Sequence, residues 1–265
     1  MVVIREAATV MLVRDDPDLH VFMLRRNLDA DFVGGAYVFP GGSIDAGDRA
    51  PELLARSHGP SDAEASTLLD LPAGALGFWM AAIRESFEEA GVLLARSAVT
   101  GDPVDLSDPG AAERLESARR AVGRGERPFL EVVVAEDLLL DAGALHVFSH
   151  WITPPGMPRR YDTWFFVAEA PEGHAYLHDD GETVASVWIR PSEALERAKR
   201  GELEMIFPTI RNLEALARFD TAGALAEAVG RASSVPVTRP RIVADATGAR
   251  ILLPGDPGYD AEGAA

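Results

Sequence analysis

Three glutamates, Glu85, Glu88 and Glu89, sit in the segment Arg84-Glu85-Ser86-Phe87-Glu88-Glu89-Ala90-Gly91-Val92. A spacing of i, i+3 and i+4 puts all three carboxylates on one side of a helix, and hard divalent cations such as Mg²⁺ take carboxylate oxygens as ligands. A solvated acidic face is the ordinary meaning of clustered glutamates. However, the identities Arg-Glu-x-x-Glu-Glu-x-Gly recur by chance only about once per million positions, at roughly one chance in 15 per residue. Upstream, Phe39-Pro40-Gly41-Gly42 marks a backbone that turns sharply and can approach another group closely, because glycine has no Cβ. Metal-assisted chemistry accounts for both segments.

A helix over Leu76 to Ala90 must position these carboxylates. At about 100° per residue, Leu76, Trp79, Met80 and Phe87 fall within roughly 60° of Ile83, whereas Glu85, Glu88 and Glu89 lie near 200°, 140° and 240°. One face is expected in the core and the carboxylates on the other. Arg84 points sideways, near 100°, where its planar fork suits Asp48 and would tie the upstream turn to the helix, with a weak surface ion pair the competing reading. Gly91 can take the left-handed conformation that ends a helix, after which Val92-Leu93-Leu94 re-enters the core.

Around this helix the pattern predicts a hairpin from Ala7 to Val13 and Leu19 to Arg25. A short helix should start at the capping box Ser61-Asp62-Ala63-Glu64, run through Leu71 and end at Pro72 and Gly74. Further helices are predicted over Ala111 to Val122, Phe129 to Leu140, Pro191 to Arg200 and Thr209 to Val229. Strands are predicted over His146 to Ile152, Tyr161 to Ala168 and Val184 to Ile189, with a last hairpin from Arg241 to Ala244 and Arg250 to Leu253.

Composition narrows the function classes. With 47% apolar residues, 265 residues can bury a sizeable core as one large domain or two small ones. A net charge of −17 repels phosphate backbones and anionic lipid, so neither nucleic acid nor a membrane is an expected partner. A small phosphorylated substrate remains compatible if divalent cations reverse the local field. The absence of cysteine excludes disulfides, thiolate metal sites and a cysteine nucleophile. No apolar run approaches the roughly 18 residues of a membrane span, and no basic N-terminal region precedes an apolar stretch. A soluble cytoplasmic protein is the expectation. The six histidines show no metal-ligand spacing.

The acidic helix and the glycine turn together resemble the Nudix box, G-x5-E-x7-R-E-U-x-E-E-x-G-U with U apolar, the signature of hydrolases acting on nucleoside diphosphates linked to another moiety. Gly42, Arg84, Glu85, Glu88, Glu89, Gly91 and Val92 match. Asp48 stands where Glu is usual, about 28 residues are inserted between it and Arg84, and Ser86 occupies an apolar position, which should weaken packing slightly. The interrupted box is similar to that of the Nudix enzymes related to the peroxisomal coenzyme A diphosphatase. That likeness extends to Gly34-Gly35-Ala36-Tyr37-Val38, Trp151-Ile152-Thr153-Pro154 and Pro158-Arg159-Arg160-Tyr161-Asp162-Thr163. The resemblance implies a mixed α/β (α+β) fold, with a mixed β-sheet sandwiched between helices, a helical insertion and a C-terminal helix plus hairpin. On this reading residues 1–208 form the Nudix domain, with insertions at about 49–75 and 97–128, and residues 209–265 pack on it as an extension.

By resemblance, Glu88 and Glu89 ligate Mg²⁺ or Mn²⁺, while Glu85 ligates a second ion or orients a water. A carbonyl oxygen of Gly41 or Gly42 adds a ligand, and Glu182, after Asp179-Asp180-Gly181, is the candidate for a later acid, with a solvated turn the competing reading. Arg26, Arg159 and Arg160 are candidates to meet substrate phosphates, with rim charges the competing reading. Tyr161, Trp164 and Phe165 are expected in the core. The implied substrate is coenzyme A or an acyl-coenzyme A, giving 3',5'-ADP and 4'-phosphopantetheine. Arg26, Gly35 and Phe39-Pro40-Gly41-Gly42 fit the coenzyme A segment of other Nudix enzymes, whereas Asn27 and Asp31 replace its small residue and second Arg. ADP-ribose or NADH is therefore the alternative substrate. A nucleotide sensor without catalysis is the other class, and it is disfavoured because all three box glutamates persist. A homodimer is compatible with the sequence.

Overall fold

The computed structural model describes residues 2–28, 34–174, 176, 183–232, 234–245 and 248–260. The expected first hairpin is β1 (Ile4–Asp15) and β2 (Leu19–Arg26), with Val13 opposite Val21. β3 (Tyr37–Val38) pairs with β2 and β4 (Gly41–Ser43) pairs with β1, so the glycine turn is itself part of a sheet. A 3₁₀ turn, Ala46–Arg49, leads into α1 (Pro51–Leu54), β5 (Ser57–His58) and α2 (Asp62–Leu69). α2 starts at its predicted capping box, where the Glu64 amide donates to Ser61 Oγ and the Ser61 amide to Glu64 Oε2. It ends earlier than predicted, because Asp70 turns into the left-handed region at φ 54° ahead of Pro72.

α3 (Leu76–Ala90) has its predicted bounds and is closed by Gly91 at φ 66°. β6 (Ala95–Ser97) and α4 (Pro109–Gly123) follow. The helix predicted over Phe129 to Leu140 is instead α5 (Phe129–Ala135) and then β7 (Leu138–Asp141). Asp137, at φ 50°, breaks the run, and Leu140 gains strand partners on both sides, Ser57 of β5 and Ala95 of β6. These three short strands form a satellite sheet in the order β5-β7-β6.

β8 (His146–Ile152), β9 (Arg160–Glu169) and β10 (Thr183–Ile189) rejoin the main sheet and are followed by α6 (Pro191–Lys199). The single helix predicted over Thr209 to Val229 is two, α7 (Phe207–Leu216) and α8 (Ala222–Gly230). Thr221 caps α8 by accepting from the Ala224 amide, and Asp15 Oδ1 takes the Ala222 amide at 2.8 Å, so the second helix starts afresh against the β1 end. β11 (Val237–Thr238) completes the sheet, and β12 (Arg241–Asp245) with β13 (Gly248–Leu252) forms the predicted last hairpin. Among the described residues no helix is long and apolar enough to cross a membrane.

The main sheet runs β10-β2-β1-β9-β8-β11, with β1 parallel to β9 and antiparallel to β2. Both faces of its centre are covered, as a parallel pair requires. Val10, Leu12, Trp164 and Phe166 face Phe78, Trp79 and Ile83 of α3, while Met11, Val13, Phe165 and Val167 face the α6–α8 side at Leu213, Leu216 and Leu225. Leu53, Ala65 and Leu69, from the stretch inserted in the box, join the first core.

Candidate active site

α3 lies against β1, β4 and the 3₁₀ turn, with α4 packed beside it. The side of α3 expected to carry the carboxylates is therefore largely covered as well. Arg84, Ser86 and Glu89 are buried together with Ile83 and Phe87. Ser86 is fully covered, and its Oγ donates to Val92 O at 2.8 Å, so the hydroxyl is satisfied where an apolar residue is usual.

Arg84 uses all five of its N–H donors. Nε and Nη2 fork onto Asp48 Oδ1 and Oδ2 at 2.8 and 2.9 Å, and Nη2 also reaches Ser43 O at 3.0 Å. Nη1 donates to Glu85 Oε1 at 2.8 Å and to Glu88 Oε1 at 3.0 Å. Asp48, only 1% exposed, also accepts the Asp45 amide and thereby closes the 3₁₀ turn. The predicted Arg84–Asp48 pair is present, and its burial makes it a constraint that a surface pair would not be. Burial opposes the Arg84 charge, but the Asp48 bonds and the charges of Glu85, Asp48 and Glu88 outweigh it and hold the guanidinium pKa above its ordinary value.

The same burial acts on the carboxylates. It pushes Glu85 up to about 7, with Arg84 working against the rise and Glu88 adding to it. Glu88 is also raised, by burial first, against the pull of Arg84. Glu89 Oε2 accepts the Gly41 amide at 2.9 Å, so β4 is tied to the last turn of α3. The glycines are demanded by these contacts. A Cβ on Gly41 would sit 2.6 Å from Ala8 O and Thr9 Cα, and one on Gly42 would collide with the Glu85 carboxylate.

Two positions not singled out from the sequence hold α3 at its ends. At the start, Asp62 of α2 accepts the Gly74 and Leu76 amides at 2.9 Å each, so the inserted stretch caps the helix that Ala75 leaves without a side-chain cap. At the end, Arg119 of α4 donates to Glu88 O at 2.9 Å. Both contacts join residues distant in sequence. The capping box at Ser61 was a signal for α2, not for α3, and a basic residue inside α4 carries no local mark of its target.

Among the described residues no group of three or more His, Cys, Asp or Glu side chains converges closely enough to hold a metal, since Glu85 and Glu88 turn onto Arg84 and Glu89 onto Gly41. What fits a divalent cation is the donor chemistry. Hard oxygens from Glu85 and Glu89 lie beside the Gly41-Gly42 main chain, and Glu88, which shares Arg84 Nη1 with Glu85, adds a third carboxylate from the same helix.

Arg26 ends β2 opposite Thr183, and its amide donates to Ala36 O just ahead of β3 and β4. Arg159 is exposed in the turn before β9. Arg160 lies opposite Ile4, beyond the β4 pairing, and its Nε donates to Thr153 O at 3.0 Å. Glu182, Asp179, Asp180 and Asp31 lie outside the described residues. Trp164 and Phe165 are in the core and Tyr161 is partly buried. His150 stacks on Trp164 at 3.7 Å and contacts Asp162 Oδ1 at 2.5 Å.

The family model of the NUDT19 Nudix domain matches residues 61–216. The human acyl-coenzyme A diphosphatase NUDT19 is 34% identical over 90% of this chain and 72% of its own length. The Gallus gallus protein of the same name is 32% identical over 96% of this chain and 79% of its own. The crystal structure of a NUDIX hydrolase from Alicyclobacillus acidocaldarius superimposes with a TM-score of 0.71 at 27% identity, covering 86% of this chain and 97% of that one. The helix-flanked mixed sheet is thus that of an enzyme family, and the chain belongs to the Nudix hydrolases, in the family of the NUDT19 Nudix domain.

Proposed function

We propose that this hydrolase cuts the diphosphate linkage of coenzyme A or an acyl-coenzyme A, releasing 3',5'-ADP and 4'-phosphopantetheine or its acyl ester. The observation that carries the substrate is the similarity to two vertebrate acyl-coenzyme A diphosphatases across nine-tenths or more of this chain. The reading includes Mg²⁺, with Mn²⁺ able to replace it, held by Glu85, Glu88 and Glu89 with a main-chain oxygen of Gly41 or Gly42. It is supported by the charge balance at α3, where Arg84 supplies one positive charge to Asp48, Glu85 and Glu88. An anionic substrate would be repelled by the remainder. When bound, such an ion neutralises diphosphate charge and polarises the bond to be cut.

The chain's own residues account for the rest. Arg84 fixes Oε1 of Glu85 and leaves Oε2 to take the ion or to accept a proton from the attacking water. Arg84 also joins α3 to the turn at Asp48, which sets the distance between the carboxylates and β4. Arg26, Arg159 and Arg160 are the proposed phosphate contacts.

The second reading, ADP-ribose or NADH as substrate, is favoured by Asn27 and Asp31 standing in the coenzyme A segment. The deciding experiment is kcat/KM for coenzyme A, an acyl-coenzyme A, dephospho-coenzyme A, ADP-ribose and NADH, each with Mg²⁺ and with Mn²⁺. The proposal expects the coenzyme A compounds to lead. Faster cleavage of ADP-ribose or NADH moves the assignment to the second reading.

A further inference from the structure

The last turn of α3 carries the glutamates to the helix end where the macrodipole is negative and carbonyls lack helical donors. The Val92 amide, which would serve Glu88 O in a continuing helix, turns back to Ser86 O at 3.1 Å because Gly91 adopts the left-handed conformation. Arg119 Nη1 replaces it at 2.9 Å. Arg119 is only 6% exposed, and its direction is set by Glu116, which receives Nε at 2.7 Å and Nη2 at 2.9 Å. Glu88 is therefore gripped at both ends, its side chain by Arg84 and its main chain by Arg119.

We propose that Arg119, braced by Glu116, is a positioning residue for the catalytic helix: it fixes the peptide of Glu88 and so the placement of the Glu88 and Glu89 carboxylates for a divalent cation. This rests on the metal reading given above. It assigns a task to α4, which lies in the stretch 97–128, outside the box motif. A guanidinium here serves two purposes. The fork to Glu116 leaves one aimed N–H for the carbonyl, and the charge offsets the helix dipole beside three carboxylates. An ammonium would keep the charge and lose the fork.

The test is Mn²⁺ binding, measured by electron paramagnetic resonance of the free ion, together with kcat and KM for coenzyme A and a thermal melt. It is run on the unmodified protein and on Arg119→Ala, Arg119→Lys and Glu116→Gln. Loss of an outer support of this kind weakens metal affinity or activity by about 10- to 100-fold. Arg119→Ala should show that loss in Mn²⁺ affinity and in kcat, with KM for coenzyme A within about twofold. Arg119→Lys should recover part of it, and Glu116→Gln should lose part. A folded Arg119→Ala with unchanged Mn²⁺ affinity and kcat overturns the proposal. If that variant fails to fold, unchanged values in Glu116→Gln overturn it instead. If the unmodified protein takes up no Mn²⁺, the metal reading fails and this inference falls with it, whereas uptake that is indifferent to all three substitutions refutes the inference alone.

Discussion

Replacing Arg84 with Met removes the cation that Asp48, Glu85 and Glu88 share while keeping a side chain of comparable reach. Asp48, 1% exposed, then keeps the Asp45 amide but loses both N–H bonds of the guanidinium fork. Removing one partner of a buried ion pair costs about 3–5 kcal/mol, because the other charge is stranded away from water. At about 2–4 °C per kcal/mol for a chain of this size, the melting temperature should fall by roughly 6–20 °C. Urea unfolding at pH 7.5 without divalent ions, followed by the fluorescence of buried Trp79 and Trp164, reads the loss directly. Adding Asp48→Asn should return part of it, since the stranded charge is gone, and the double-mutant cycle measures the coupling. A loss below about 1 kcal/mol in Arg84→Met, the scale of an exposed pair, would refute the buried-clamp reasoning.

Two further outcomes follow from the same geometry. Burial raises Glu85 to about 7 in the folded protein, above its ordinary value of 4.5, so the folded state binds the proton more tightly than the unfolded state. That contribution, up to about 3 kcal/mol, is present below pH 4.5 and lost as pH rises through 7. Relative to Glu85→Gln, the metal-free protein should therefore lose stability between about pH 5 and 7.5, and parallel pH profiles would contradict the shift. Gly42→Ala drives a Cβ into the Glu85 carboxylate and should lower kcat by roughly 10²-fold, the cost of about 1 Å of misplacement, and unchanged turnover would show that the carboxylate can move without penalty.

Much of the site's scaffold was legible because its signals are local. The period of the apolar residues and Gly91 bounded α3 at Leu76 and Ala90, and the pairing of Arg84 with Asp48 followed from the direction of one side chain and the motif. What escaped depends on residues far apart in the chain. β5 and β6 are two and three residues long, and they exist because β7 lies between them. The break between α7 and α8 is set partly by Asp15, at the opposite end of the sequence. The covering of the acidic side was not legible because helical periodicity registers α3 alone, without β4 and the 3₁₀ turn that pack on it. Asp62 and Arg119, which hold the two ends of α3, lie in stretches outside the motif and gain meaning only from tertiary contact.

The central claim, that α3 supplies the carboxylates for metal-dependent cleavage of coenzyme A, is tested most directly by the rate of 3',5'-ADP release from coenzyme A in Mg²⁺, comparing Glu89→Gln with the unmodified protein. Glutamine keeps the size of the side chain and an oxygen to accept the Gly41 amide, so the fold should survive while kcat falls by roughly 10³-fold or more. Near-normal release of 3',5'-ADP by a folded Glu89→Gln protein would contradict the account.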